Sequence, residues 1–103
     1  MKAVSVDIKK SPKKDKKLVA IFKDQNGKIV KQTHFGAKGM SDYTIHGDDK
    51  RKQRYLDRHK PRENWNDYMT AGSLSRYILW NRPTLKQSIN DYVRRFKLKL
   101  IKK

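Results

Sequence analysis

Not one of the 103 residues is cysteine. That excludes disulfides, cysteine-ligated zinc and thiol nucleophiles, and it fits a reducing compartment. Apolar residues are also scarce, at 35% of the chain. A chain of this length is one small domain with little core to spare, so a few aromatic and aliphatic positions must supply the interior. No apolar run approaches the ~20 residues of a membrane-spanning helix. The N-terminal "MKAVSVDIKKSPKK" lacks the apolar segment of a secretory signal. The expectation is a protein without membrane attachment, intracellular or enclosed in a particle. Acidic residues are the scarcest class relative to their counterpart: 10 against 27 basic ones, a net charge of +17. This exceeds what solubility requires, and self-repulsion at such density destabilises the compact state. A polyanion would relieve it, whether nucleic acid, an anionic membrane or an acidic protein surface. The plainer alternative is a solvated lysine surface.

Along the chain, "AVSVDI" (residues 3–8) alternates as a short strand. "KKSPKKDKK" (residues 9–17) reads as a basic linker or arm suited to phosphate contact, giving an N-terminal strand and arm over 1–17. "LVAIFKDQNGKIVKQTHF" holds two strands, at about 18–24 and 28–35, around Asp24-Gln25-Asn26-Gly27, because Asn-Gly favours positive φ and hairpin turns. The first of these strands is apolar on both faces, which predicts cover on both sides. After the loop 36–47, Asp48 or Asp49 caps a helix that stops at Lys60 before Pro61. Thr70 or Ser73 caps a second, running to about Asn81. Thr84 and Gln87 fit a capping box for a third, in which Leu85, Ile89, Tyr92, Val93 and Phe96 form the apolar stripe. "KLKLIKK" closes the chain as a basic tail (98–103) or a short strand. Strands followed by helices predict an α+β fold: a small antiparallel β-hairpin or three-stranded sheet followed by about three helices, with the domain spanning 18–97.

"FGAKGMSD" could cradle phosphate on backbone N–H groups, with Lys38 touching it, but lacks the P-loop spacing; Gly36 and Gly39 equally serve to turn the chain. His34, Asp42, His46, Asp48 and His59 are metal-ligand types without a recognised spacing, and serve equally as caps and hydrogen-bond partners. Ser41, Asp42 and His46 are close in sequence, which says nothing about a triad in space. No catalytic residue, metal or cofactor is expected. The dominant signal is basic. Arg51, Arg54 and Arg58 share one helix side by their i, i+3, i+7 spacing. Lys86, Arg94 and Arg95 lie on another helix. Together with Lys38 these are the candidate phosphate contacts, and no motif for sequence-specific readout accompanies them. Trp65, Trp80 and the tyrosines can stack on bases, or supply the core that so few aliphatics cannot.

"HFGAKGMSDYTIHGDDKRKQRYLDRHK", "NW" and "TAGSLSRYILWNRPTLKQSINDYVRRF" resemble a family of small basic uncharacterised proteins encoded by large double-stranded DNA viruses of algae and amoebae. The "FG-x-x-G-x-SDYT-x-H" stretch, the "RYL-x-RH" helix and the "LWN-x-PTL" turn carry the resemblance, from His34 to Phe96. It implies a viral origin and presence in the virion or viral factory, within host cytoplasm or nucleus. It carries over no active-site residues. The expectation is a non-enzymatic protein that binds nucleic acid, double-stranded DNA foremost, through phosphates, and that contributes to genome packaging. The alternative is a minor virion component binding acidic capsid or host protein surfaces.

Overall fold

The computed structural model describes residues 3–101. It is α+β: a four-stranded mixed sheet of order β3-β2-β1-β4 with helices packed on it. The strands are β1 (Ser5–Lys10), β2 (Lys16–Lys23), β3 (Ile29–Ala37) and β4 (Lys99–Leu100). The helices are α1 (Tyr43–His46), α2 (Asp49–His59), α3 (Ala71–Leu74) and α4 (Leu85–Arg95). A 3₁₀ turn, Lys60–Arg62, follows α2, and a π-helical turn, Ser75–Leu79, extends α3.

The β2–β3 hairpin forms where Asn26-Gly27 places it. Gly27 takes φ 81°, and Asp24 Oδ1 accepts from the amides of Asn26 (2.9 Å) and Lys28 (3.0 Å). The lysine-rich stretch 9–17 is not an arm. β1 pairs antiparallel with β2 from Ser5↔Lys23 to Lys10↔Leu18, and Ser11–Asp15 make the connection. Ser11 ties it down: its Oγ accepts from the Lys13 amide (3.1 Å) and lies 2.7 Å from His34 Nδ1. Lysine density did not prevent pairing because a strand sends alternate side chains to opposite faces, and Lys9, Lys10, Lys13 and Lys14 all stay exposed.

The end of the chain is likewise paired. After α4, Lys97 turns with φ 55°, and β4 adds to β1 in parallel, with the Lys99 amide donating to Val4 O (2.9 Å). Of the residues in the two expected tails, Met1, Lys2, Lys102 and Lys103 lie outside the described residues.

One sheet face carries Val6 opposite Phe22, Ile8 opposite Ala20 opposite Thr33, and Leu18 opposite Phe35. This face meets Leu74, Ile78, Leu79 and Tyr92, which with Val6, Ala20, Phe22 and Phe35 form the core. The opposite face has Val19 between Lys9 and His34, and Ile21 between Asp7 and Gln32. Neither Val19 nor Ile21 joins the core cluster. Val19 is nonetheless buried on this face, at 2% exposed, while the core helices pack on the other.

Helix starts follow their caps. Asp42 caps α1, Asp48 caps α2, Thr70 caps α3, and Thr84 Oγ1 accepts from the Gln87 amide (3.2 Å) at α4. Leu85 departs from the expected stripe and is 38% exposed. Ser88 is buried instead, its hydroxyl accepting from the Arg82 amide at 2.9 Å. No helix among the described residues is long and apolar enough to cross a membrane.

Candidate nucleic-acid interface

Helix α2 begins where Asp48 Oδ1 accepts from the amides of Lys50 (2.9 Å) and Arg51 (3.2 Å). These bonds, the Arg51 amide foremost and aided by the charges of His46 and Arg54, hold the Asp48 carboxyl below its ordinary pKa. From this start the helix turns Tyr55 inward and leaves Arg51, Arg54 and Arg58 exposed. All three arginines line one groove of about 660 Å³, whose other walls are Met40, Ser41, Asp57 and Trp80. Among the described residues none of the three is in an ion pair. The acid between them, Asp57, is engaged by Gln53 Nε2 at 2.9 Å.

A second cavity of about 500 Å³ adjoins the groove, sharing Met40, Ser41, Arg58 and Trp80 with it. Lys16 and Lys17 border it from β2. Lys17 Nζ donates to Asp42 Oδ2 at 2.5 Å, fixing the start of α1 against the sheet. Tyr55, His59 and Trp80 form an aromatic stretch of the wall. His59 stacks on Tyr55 (centroids 4.3 Å apart, 27°), Tyr55 stacks on Trp80 (4.4 Å, 5°), and His46 meets Trp80 at 5.3 Å. Burial, reinforced by Glu63, pushes the Tyr55 hydroxyl up to about 12, so it stays protonated throughout the physiological range.

Two cations near the end of this column have roles that the sequence did not disclose. Arg76 Nη1 donates to Trp80 O (3.1 Å), and its guanidinium lies 5.4 Å from the Trp65 ring and 5.0 Å from the Tyr77 ring. Burial lowers its pKa, and its Nε has no hydrogen-bond partner among the described residues. Lys52 Nζ donates to Asn81 O (2.8 Å) and lies 4.9 Å from the Tyr43 ring, with burial and then Arg76 lowering its pKa. Both are structural cations turned inward. Charge counting along the sequence does not separate them from the outward arginines; only the packing does.

The other candidates do not join this groove. Lys38 follows β3 and is exposed; its amide donates to Asp15 O (3.0 Å), beside the β1–β2 turn. The Met40 amide donates to Ala37 O (3.2 Å), so two amides of the glycine loop are consumed internally. Gly36 has φ 80°, and a Cβ there would fall 2.7 Å from Leu79 Cδ1: it is needed for close packing as well as for turning. Arg94 lines a separate groove of about 360 Å³ with Arg82, Gln87, Asn90 and Asp91. Arg95 Nη2 donates to Asp91 Oδ2 (3.4 Å), and its guanidinium lies 4.6 Å from the Tyr77 ring, so it is partly neutralised. Lys86 is exposed on α4 and borders none of these three cavities.

The residues of metal-ligand type are dispersed. His34 meets Ser11, Asp42 binds Lys17 and caps α1, His46 Nδ1 accepts from the Asp48 amide (2.9 Å), and His59 stacks in the column. Among the described residues no group of three His, Asp or Glu side chains is placed to hold a metal ion.

A family model matches residues 6–59, from β1 through the whole of α2. The chain belongs to DUF5754, a family of unknown function. The matched part of this DUF5754 protein contains the three groove arginines together with Tyr55 and His59; Glu63, Arg76 and Trp80 lie beyond it. No curated protein and no solved structure matches the chain.

Proposed function

We propose that this DUF5754 protein is a non-enzymatic nucleic-acid-binding protein that engages phosphates through the α2 groove. The observation that carries this reading is the trio Arg51, Arg54 and Arg58: exposed, lining one concave surface, and without an ion-pair partner among the described residues. Each neutralised phosphate releases condensed counterions, and that release supplies most of non-specific affinity. Lys16 at the adjoining cavity continues the positive lining, while Arg94 and Lys86 on α4 add charge elsewhere. The rest of the charge balance supports the same reading. Two of the inward cations, Arg76 and Lys52, settle on aromatic rings and carbonyls, leaving the outward ones to an external anion. In the viral setting that the sequence resemblance implies, the corresponding role is neutralising or packaging the genome in the virion or viral factory.

The test is a titration of duplex DNA at several salt concentrations. With ~6–10 phosphates engaged, affinity falls ~10³–10⁵-fold between about 50 and 200 mM salt. A salt-independent affinity, or no binding at the low end, contradicts the reading.

A further inference from the structure

Several local departures from regular structure meet at the 500 Å³ cavity beside the arginine groove. The π-helical turn Ser75–Leu79 contributes Ser75 and Leu79 to its wall, and such turns are frequent at functional sites. Gly36 lets β3 close on Leu79. Gly72 lies against the carboxylate of Glu63, where a Cβ would fall 1.5 Å from Oε2. The Glu63 carboxylate thus occupies the space over Gly72 in the cavity wall, its side chain 27% exposed. The only basic side chain with a nitrogen within 4 Å of it among the described residues is His59, whose Nδ1 is 3.8 Å from Oε1. No described residue donates a hydrogen bond to it in this structure. A half-buried carboxylate with open acceptor positions matches a ligand that brings donors. Beside it the aromatic column ends in His59, which is 39% exposed. Lys16 and Arg58 also line the cavity. The volume lies within the range of small-molecule sites.

A flat ring, a donor-bearing edge and an adjoining anion together describe a nucleotide. Among the bases, the edge used for pairing separates them. Guanine presents N1–H and N2–H side by side. Adenine and cytosine present an amino group next to a ring acceptor, and thymine a single N–H between two carbonyls. An acceptor-only carboxylate therefore favours guanine and repels part of every other edge. We propose that this cavity takes one unpaired guanine of a bound single strand, stacked at the His59 end of the column, with N1–H and N2–H donated to Glu63 and the flanking phosphates held by Lys16 and Arg58. The inference rests on the nucleic-acid reading and adds a base contact to it.

The test uses the full chain and fluorescence anisotropy of labelled, single-stranded thymidine oligonucleotides carrying one central guanine, one central adenine or no substitution. The guanine strand is expected to bind about 10-fold tighter than the adenine strand, the lower end of what a bidentate base contact contributes. An inosine at the same place, lacking N2–H, falls between them. Glu63→Gln removes the preference while leaving the affinity for the unsubstituted strand unchanged or raised, which also shows that the variant is folded. Gly72→Ala, displacing the carboxylate, removes the preference too. Equal affinities for guanine and adenine strands, or a preference that survives Glu63→Gln, overturn the guanine site. If all strands bind equally and with a steep salt dependence, the phosphate reading stands alone. If none binds, the guanine site falls, and the duplex titration decides the phosphate reading separately.

Discussion

Gly36 shows how much a single position decides. At φ 80° only glycine is at ease, and a Cβ would meet Leu79 Cδ1 at 2.7 Å. Gly39 has φ 87° but open space around it. Gly36→Ala is therefore expected to cost clearly more stability than Gly39→Ala, about 2–3 against about 1 kcal/mol, read by urea unfolding. Equal losses would mean that Leu79 moves aside without cost. Tyr92 is a second such position. It is fully buried and donates its hydroxyl proton to Tyr68 O, and burial raises its pKa so that the proton stays. Tyr92→Phe leaves that carbonyl without its donor, and the same unfolding assay should register a loss of about 1–3 kcal/mol. A variant as stable as the parent would show that water replaces the bond.

Elements were legible where a local signal was strong. The Asp24–Gly27 turn, the Asp48 cap and the 3.6-residue period of α4 all appear in the structure because each is decided by neighbours in sequence. What escaped the sequence was decided by distant pairing. The β1–β2 hairpin runs through lysines because register with the neighbouring strand, not composition, makes a strand. The parallel β4 depends on β1 at the other end of the chain. The four-residue helix α1 and the π-helical turn carry no periodic signature of their own. The site divides in the same way. The spacing of Arg51, Arg54 and Arg58 disclosed their shared helix side, but not the groove that side lines, and the stack of His59, Tyr55 and Trp80 joins two segments that only the fold brings together.

The cap of α2 gives a prediction at this scale. Asp48 has its pKa lowered on folding, so its contribution is fully present above its unfolded value of about 3.9 and is lost as pH falls through the lower folded value. Asp48→Asn keeps a capping oxygen but not the charge. Thermal unfolding from about pH 6 down to pH 2 should show a shallower acid decline for the variant than for the parent. Parallel curves would assign the acid limb to other carboxylates.

For the whole molecule the governing quantity is the net charge of +17 on a small scaffold. Few acids are available to offset it, and Asp91 already serves Asn81, Arg82 and Arg95. Self-repulsion is screened by salt, with a Debye length of about 10 Å at 0.1 M. The free protein should therefore unfold at higher temperature as salt rises, while a bound polyanion raises the unfolding temperature most at low salt. Calorimetry with and without DNA across a salt series checks both trends, and a melting temperature indifferent to salt would mean that the basic surface is already compensated internally.

The most direct measurement compares log Kd against log salt for duplex DNA with the parent protein and with Arg51, Arg54 and Arg58 replaced together by alanine. Removing three phosphate contacts should weaken binding and lower the steepness of the salt dependence by about 3. Unchanged steepness and affinity in the triple variant would show that the α2 groove is not where the polyanion binds.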